Sequence, residues 1–172
     1  PDCEALLIVE VEGSALEIEE QLEKITAIAS RHNPVELRQA RDQDEAVRIW
    51  LGRKSAFGAM GQINDYMCLD GTIPVSELPY VLRRISELSE QFGLAVGNVF
   101  HAGDGNMHPL ILYDANKPGD LETCEAFGAE ILKLCVEVGG CLTGEHGVGV
   151  EKRDLMNVQF GPMDLEAQMW LK

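Results

Sequence analysis

The chain has 172 residues, 45% of them apolar, long and apolar enough to bury a core without disulfide or metal staples. Fourteen Lys and Arg against 29 Asp and Glu leave a formal charge of −15, which argues against nucleic acid or an anionic membrane surface as partner. Aliphatic residues spread along the whole chain exclude intrinsic disorder, and no uninterrupted apolar run reaches the ~18 residues of a membrane span.

Ala5 to Val11 (ALLIVEV) reads as a largely buried strand ended by Gly13. Ser14 and Glu17 form a capping box, and Ile18, Leu22, Ile25 and Ala29 then repeat on one helical face. His32, at that helix's end, has the place of a structural C-terminal histidine. Val35 to Ala40 alternates as a short strand. Asp42 with Glu45 repeats the cap and opens a helix to about Phe57. A strand follows near Tyr66 to Leu69, then a turn at Asp70-Gly71. Ser76 is the expected cap of a helix with Leu78, Leu82, Ile85 and Phe92 inward and Gly93 as its stop. Leu94 to His101 and Met107 to Tyr113 read as a hairpin. Leu121, Cys124, Phe127, Ile131, Leu134 and Val138 mark a long helix ending at Gly139-Gly140. A brief strand, Cys141 to Thr143, enters a Gly-rich loop, and short helices close the chain. The sum is an α+β fold of the ferredoxin-like kind, with a mainly antiparallel sheet and helices on one face, read as one domain over residues 1–172. Five Cys with no CxxC pair (Cys3, Cys68, Cys124, Cys135, Cys141) read as reduced thiols of a cytoplasmic protein.

The hairpin carries the stretch from His101 to His108. With the turn centred between Asp104 and Gly105, paired positions sum to 209, so His101 faces His108 and Val99 faces Leu110. Pro109 then takes a non-hydrogen-bonded position, where its missing N–H costs nothing toward the partner strand. Two cross-strand imidazoles can chelate one divalent ion, or simply flank a turn. The second unusual stretch is Thr143 to Gly149, three Gly around Glu145-His146. Glu145 can complete a two-His, one-carboxylate metal site with His101 and His108. His146, pointing elsewhere on an extended backbone, suits a base or hydrogen-bond partner. The same stretch also reads as an exposed polar turn. Its G-x-x-G-x-G order is not a nucleotide fingerprint. On the helix after Asp42, Ala46, Trp50, Arg53 and Phe57 share a face, so Arg53 either snorkels to solvent or aims at an anion such as a carboxylate.

Trp50 to Met60 (WLGRKSAFGAM), Asp70 to Pro74 (DGTIP), Asn98 to Asp114 (NVFHAGDGNMHPLILYD) and Gly144 to Lys152 (GEHGVGVEK) together resemble the C-terminal domain of FAD-linked oxidases, the family of glycolate oxidase flavoprotein subunits and of D-lactate and D-2-hydroxyglutarate dehydrogenases. The resemblance implies a 2-hydroxyacid dehydrogenase whose FAD is held mainly by a separate N-terminal domain, and this part alone is expected to be inactive. It implies that His101, His108 and Glu145 ligate a divalent metal, zinc or manganese, that His146 is the base beside substrate, that Arg53 holds the substrate carboxylate, and that Glu145 and His146 lie near the flavin. A Lys that 2-hydroxyglutarate-type relatives use for substrate is replaced by Cys68, which favours a small substrate such as glycolate or D-lactate. The expected partners are that substrate, the FAD-binding domain and other oxidase subunits. Two other classes fit the same residues: a metal-dependent hydrolase using His101, His108 and Glu145 to activate water, and a non-catalytic ferredoxin-like binding module.

Overall fold

Two of the helices begin where the cap residues stand. The computed structural model describes residues 3–171, and the chain divides into two units, Pro1–Ser55 and Ala56–Lys172. In the first unit, Ser14 and Glu17 close a complete capping box on α1 (Ala15–Ser30). Ile18, Leu22, Ile25 and Ala29 are the residues of that helix withdrawn from solvent, as the spacing predicts. Asp42 accepts the Glu45 amide at 2.8 Å at the head of α2 (Gln43–Met60), which runs three residues beyond the expected end. Glu45 is buried, and Arg38 and Arg41 bond its carboxylate.

The two strands expected in this unit are not formed among the described residues. Residues 5–11 and 35–40 carry no ladder, and Leu6 and Leu7 are 72% and 75% exposed. The alternation of apolar residues is present, but a strand is stabilised by its neighbour's hydrogen bonds, and neither stretch has one.

In the second unit β1 (Asp65–Cys68), β3 (Val96–Asn98) and β5 (Pro109–Tyr113) form an antiparallel sheet in the order β1-β5-β3. A second pair joins β2 (Gly71–Thr72) to β4 (Asn106–Met107). Helices α3 (Leu78–Phe92) and α4 (Asp120–Glu137) cover these sheets, giving the expected α+β architecture. Val81, Ile85 and Leu88 of α3 meet Cys124, Phe127, Ile131, Leu134 and Cys135 of α4 in one core, with Phe92 stacked on Phe127 at 5.2 Å. Gly93, at φ 67°, stops α3 as expected.

Three local expectations need correction. Ser76 is not a helix cap: it lies inside a 3-10 turn, Val75–Glu77, and α3 opens at Leu78-Pro79 instead. Leu121, expected inside, is exposed, because the buried face of α4 is shifted toward Gly128, Leu132 and Cys135. The stretch Cys141 to Thr143 keeps only a single bridge, Thr72 to Cys141. The chain closes with α5 (Met156–Gln159) and α6 (Pro162–Trp170). Among the described residues no helix is long and apolar enough to cross a membrane.

Candidate metal and catalytic site

The hairpin has a different register from the one the turn sequence suggests. Val96 pairs with Ile111, Gly97 with Leu110, Asn98 with Pro109, and His101 with Asn106, so paired positions sum to 207. The loop is therefore Ala102 to Gly105, one residue earlier than the Asp-Gly turn alone indicates. Strand β2 causes the shift. It pairs with Asn106 and Met107, and the Ile73 amide bonds Gly105 O at 2.9 Å, which draws these residues into a ladder. Gly105 is required there, since φ is 69° and a Cβ would stand 2.1 Å from Ile73 O. A slip of two residues preserves the side-chain parity of a strand. His101 and His108 consequently still meet, edge to face, with ring centroids 5.8 Å apart.

Pro109 has a consequence on the other side of its strand. Leu69 N donates to Pro109 O at 3.0 Å, so a residue with an N–H at 109 would complete the pair by donating to Leu69 O. Proline leaves that carbonyl free, and His108 Nδ1 takes it at 3.1 Å. With Nδ1 donating to a backbone carbonyl, Nε2 is the ring nitrogen turned toward the rest of the cluster. That nitrogen lies 2.9 Å from Glu145 Oε1. His108 is buried, whereas Glu145 and His146 keep about half their side-chain surface, 56% and 48%.

The loop that supplies Glu145 and His146 is not extended. It curls around Asp70, and so two successive side chains face the same imidazole. His146 stacks on His108 with centroids 5.1 Å apart and planes 14° from parallel, and its Nε2 is 3.9 Å from Glu145 Oε1. The ligand atoms of Asp70, His108, Glu145 and His146 lie within 4.8 Å of one another, as do those of Cys68, His108 and His146. His101 contacts the His108 ring but is not among the residues whose ligand atoms converge. Arg53 lies half-buried on α2, on the face it shares with Ala46, Trp50 and Phe57, in the first unit.

Asp70 and Lys152 are buried at this cluster and are not singled out by the sequence, because Asp70-Gly71 has the composition of a surface turn. Asp70 is fully buried. Its Oδ2 accepts from Thr143 Oγ1 at 2.6 Å, from the amides of Gly144 and His146 at 3.0 and 2.9 Å, and from Lys152 Nζ at 3.2 Å. Burial alone would raise its pKa, but the donors outweigh it and hold the carboxyl well below the usual carboxylate range. Cys68, beside these groups, is pushed up to about 11 by burial and then by the Asp70 charge, so it is a neutral thiol at physiological pH. Cys68, His146 and residues 147–152 line a cavity of about 220 Å³. All five Cys are free thiols.

A family profile described as FAD linked oxidases, C-terminal domain, matches residues 1–172. The glycolate oxidase subunit GlcD of Escherichia coli (strain K12) is 52% identical over 160 residues, 92% of this chain and 32% of that protein. GlcD of Bacillus subtilis (strain 168) is 31% identical over 171 residues, 99% of this chain and 36% of that protein. The mitochondrial D-lactate dehydrogenase [cytochrome] of Kluyveromyces lactis is 30% identical over 151 residues, 84% of this chain and 26% of that protein. The chain thus spans about a third of the length of the GlcD relatives it matches.

Proposed function

Because this chain belongs to the FAD linked oxidase C-terminal domain family, we propose that it is the substrate-binding and flavin-capping part of an FAD-dependent 2-hydroxyacid oxidoreductase of the glycolate or D-lactate type. The observation that carries this reading is the convergence of His108, Glu145 and His146, the last of which lines a small cavity. Family membership favours it over a hydrolase built on the same side chains.

A 2-hydroxyacid loses the hydroxyl proton and a hydride from the carbon that bears it. The FAD, held mainly by the remainder of the protein, supplies the hydride acceptor. Gly147 and Gly149, at φ 84° and 55°, have open space where a Cβ would stand, so this loop presents bare backbone to a bulky neighbour. Nε2 of His108 and the Glu145 carboxylate, with His101 as the third ligand the family resemblance implies, suit zinc or manganese, and such an ion would act as Lewis acid on the substrate oxygen. His146 Nε2 takes the hydroxyl proton. Arg53 is the residue the family resemblance assigns to the substrate carboxylate, for which a guanidinium is a planar fork. Cys68 is an uncharged group at the cavity wall and the Lys152 ammonium there is bound to Asp70, which suits a small monocarboxylate over a substrate with a second carboxylate. The other parts of the oxidase, the FAD-binding domain first among them, are the partners.

The test is dye reduction by the intact flavoprotein supplied with glycolate, D-lactate or D-2-hydroxyglutarate. We expect turnover with one of the first two, and none from the 172 residues alone. Absence of turnover with every small 2-hydroxyacid, in protein that retains its flavin, overturns the reading.

A further inference from the structure

Asp70 has no part in the chemistry above, yet the loop that carries Glu145 and His146 is built around it. We propose that Asp70, neutralised by Lys152, is the positioning residue of this site, holding the backbone of residues 144–146 so that Glu145 and His146 both meet His108. The inference rests on the assignment of those side chains given above.

Three consecutive amides, those of Gly144, Glu145 and His146, donate to one buried carboxylate at 3.0, 3.1 and 2.9 Å. Successive side chains of an extended chain leave on opposite faces. Only a chain curled about a common anion sends neighbours 145 and 146 to the same imidazole. Gly144 N also bonds Asp70 O at 3.1 Å, so backbone and side chain of Asp70 grip the loop together. At the far end of the loop Lys152 Nζ donates to Asp70 O and to Oδ2, both at 3.2 Å, and closes the clamp. Gly144 is held so near that a Cβ would stand 3.0 Å from Asp70 Oδ1 and 2.5 Å from Asn106 Oδ1. Asp70 lies within reach of a cation at His108 and Glu145, but its Oδ2 is saturated by donors and its side chain is closed to solvent. Its role is to place the ligands and the base, acting through the loop.

The test is amide hydrogen exchange and manganese titration on the intact protein, on Asp70→Asn and on the double variant Asp70→Asn/Lys152→Met. In Asp70→Asn we expect the amides of residues 144–146 to lose protection at least about tenfold beyond any change in α3 and α4, the scale of a lost charge-assisted hydrogen bond. Manganese affinity falls by a similar factor. The double variant, which relieves the clash of the Asn amide with Lys152, regains thermal stability without regaining manganese affinity. Thr143→Val removes one donor to Asp70 and the acceptor of the Gly147 amide but leaves the buried pair whole, so if Asp70→Asn does not fold it gives the same pattern at 144–146 on a smaller scale, with Gly147 left out of the comparison. Unchanged protection at 144–146, or equal losses in loop and core, overturns the proposal. A wild-type protein that binds neither manganese nor zinc overturns the metal assignment instead, and the exchange pattern still decides for or against Asp70.

Discussion

Pro109 and His146 show how single residues divide the labour of the site. Pro109 withholds an N–H from Leu69 O, and His108 Nδ1 occupies that carbonyl. Pro109→Ala supplies a competing donor, which lets the ring rotate. We expect metal affinity to fall by about tenfold, the usual effect of losing a group that orients a ligand, with little change in unfolding temperature. Calorimetric titration of manganese or zinc checks this, and an unchanged affinity refutes the role of the proline. His146 is half exposed and stacked on His108, and the base role proposed for it needs that access. His146→Gln keeps a polar side chain but no base, and kcat for the 2-hydroxyacid should drop by about 10²–10⁴-fold with a smaller change in KM. A loss confined to KM would show that His146 only binds. His101 and His108 share a face in both the expected and the observed register, which is why the pair was legible in the sequence, with Glu145 as its expected carboxylate, while the turn of His146 onto the same ring was not.

Among the elements, the helices are determined locally and the short strands are not. The Ser14–Glu17 box at α1 joins residues three apart, and Ser14→Ala should cost about 1 kcal/mol of the first unit's stability, read from denaturant midpoints. Helix α4 acts through packing instead. Phe127 is fully buried against Phe92, so Phe127→Ala should cost about 3–5 kcal/mol. A cost below about 1 kcal/mol would mean that α4 is not the centre of this core. The stretches 5–11 and 35–40 carry strand-like patterns without partners. Pattern states which face a strand would bury, and pairing decides whether the strand forms.

Across the molecule, two classes of titratable group bound the pH range of stability. The carboxyls of Glu45, lowered to about 2 by Arg41 and Arg38, and of Asp70, also lowered, are ionised in the fold below the pKa of an unfolded chain. Their contribution is complete above about pH 4–5 and is lost as pH falls through the folded values. Cys68 and Cys124, raised to about 11, and Cys135, raised to about 12, have the opposite sign: burial favours the thiol, and stability is lost as pH rises from about 8.5 toward those values. Denaturant midpoints should therefore form a plateau between about pH 5 and 8, with Cys124→Ala and Cys135→Ala flattening the alkaline limb. Midpoints still rising above pH 9 would contradict this.

The sequence by itself determined the four main helices, the shared face of His101 and His108, the acidic character and the family, because caps, periodicity and motif spacing act over a few neighbouring residues. Only the tertiary structure decided the rest. The two-residue register shift came from β2, and the convergence of Glu145 and His146 on His108 came from a buried carboxylate 73 to 82 positions away from its donors, where Asp70-Gly71 alone looks like an ordinary turn. Hydrogen bonds between groups so far apart in the chain leave no local periodicity to read, and they form only once the core has excluded water around them.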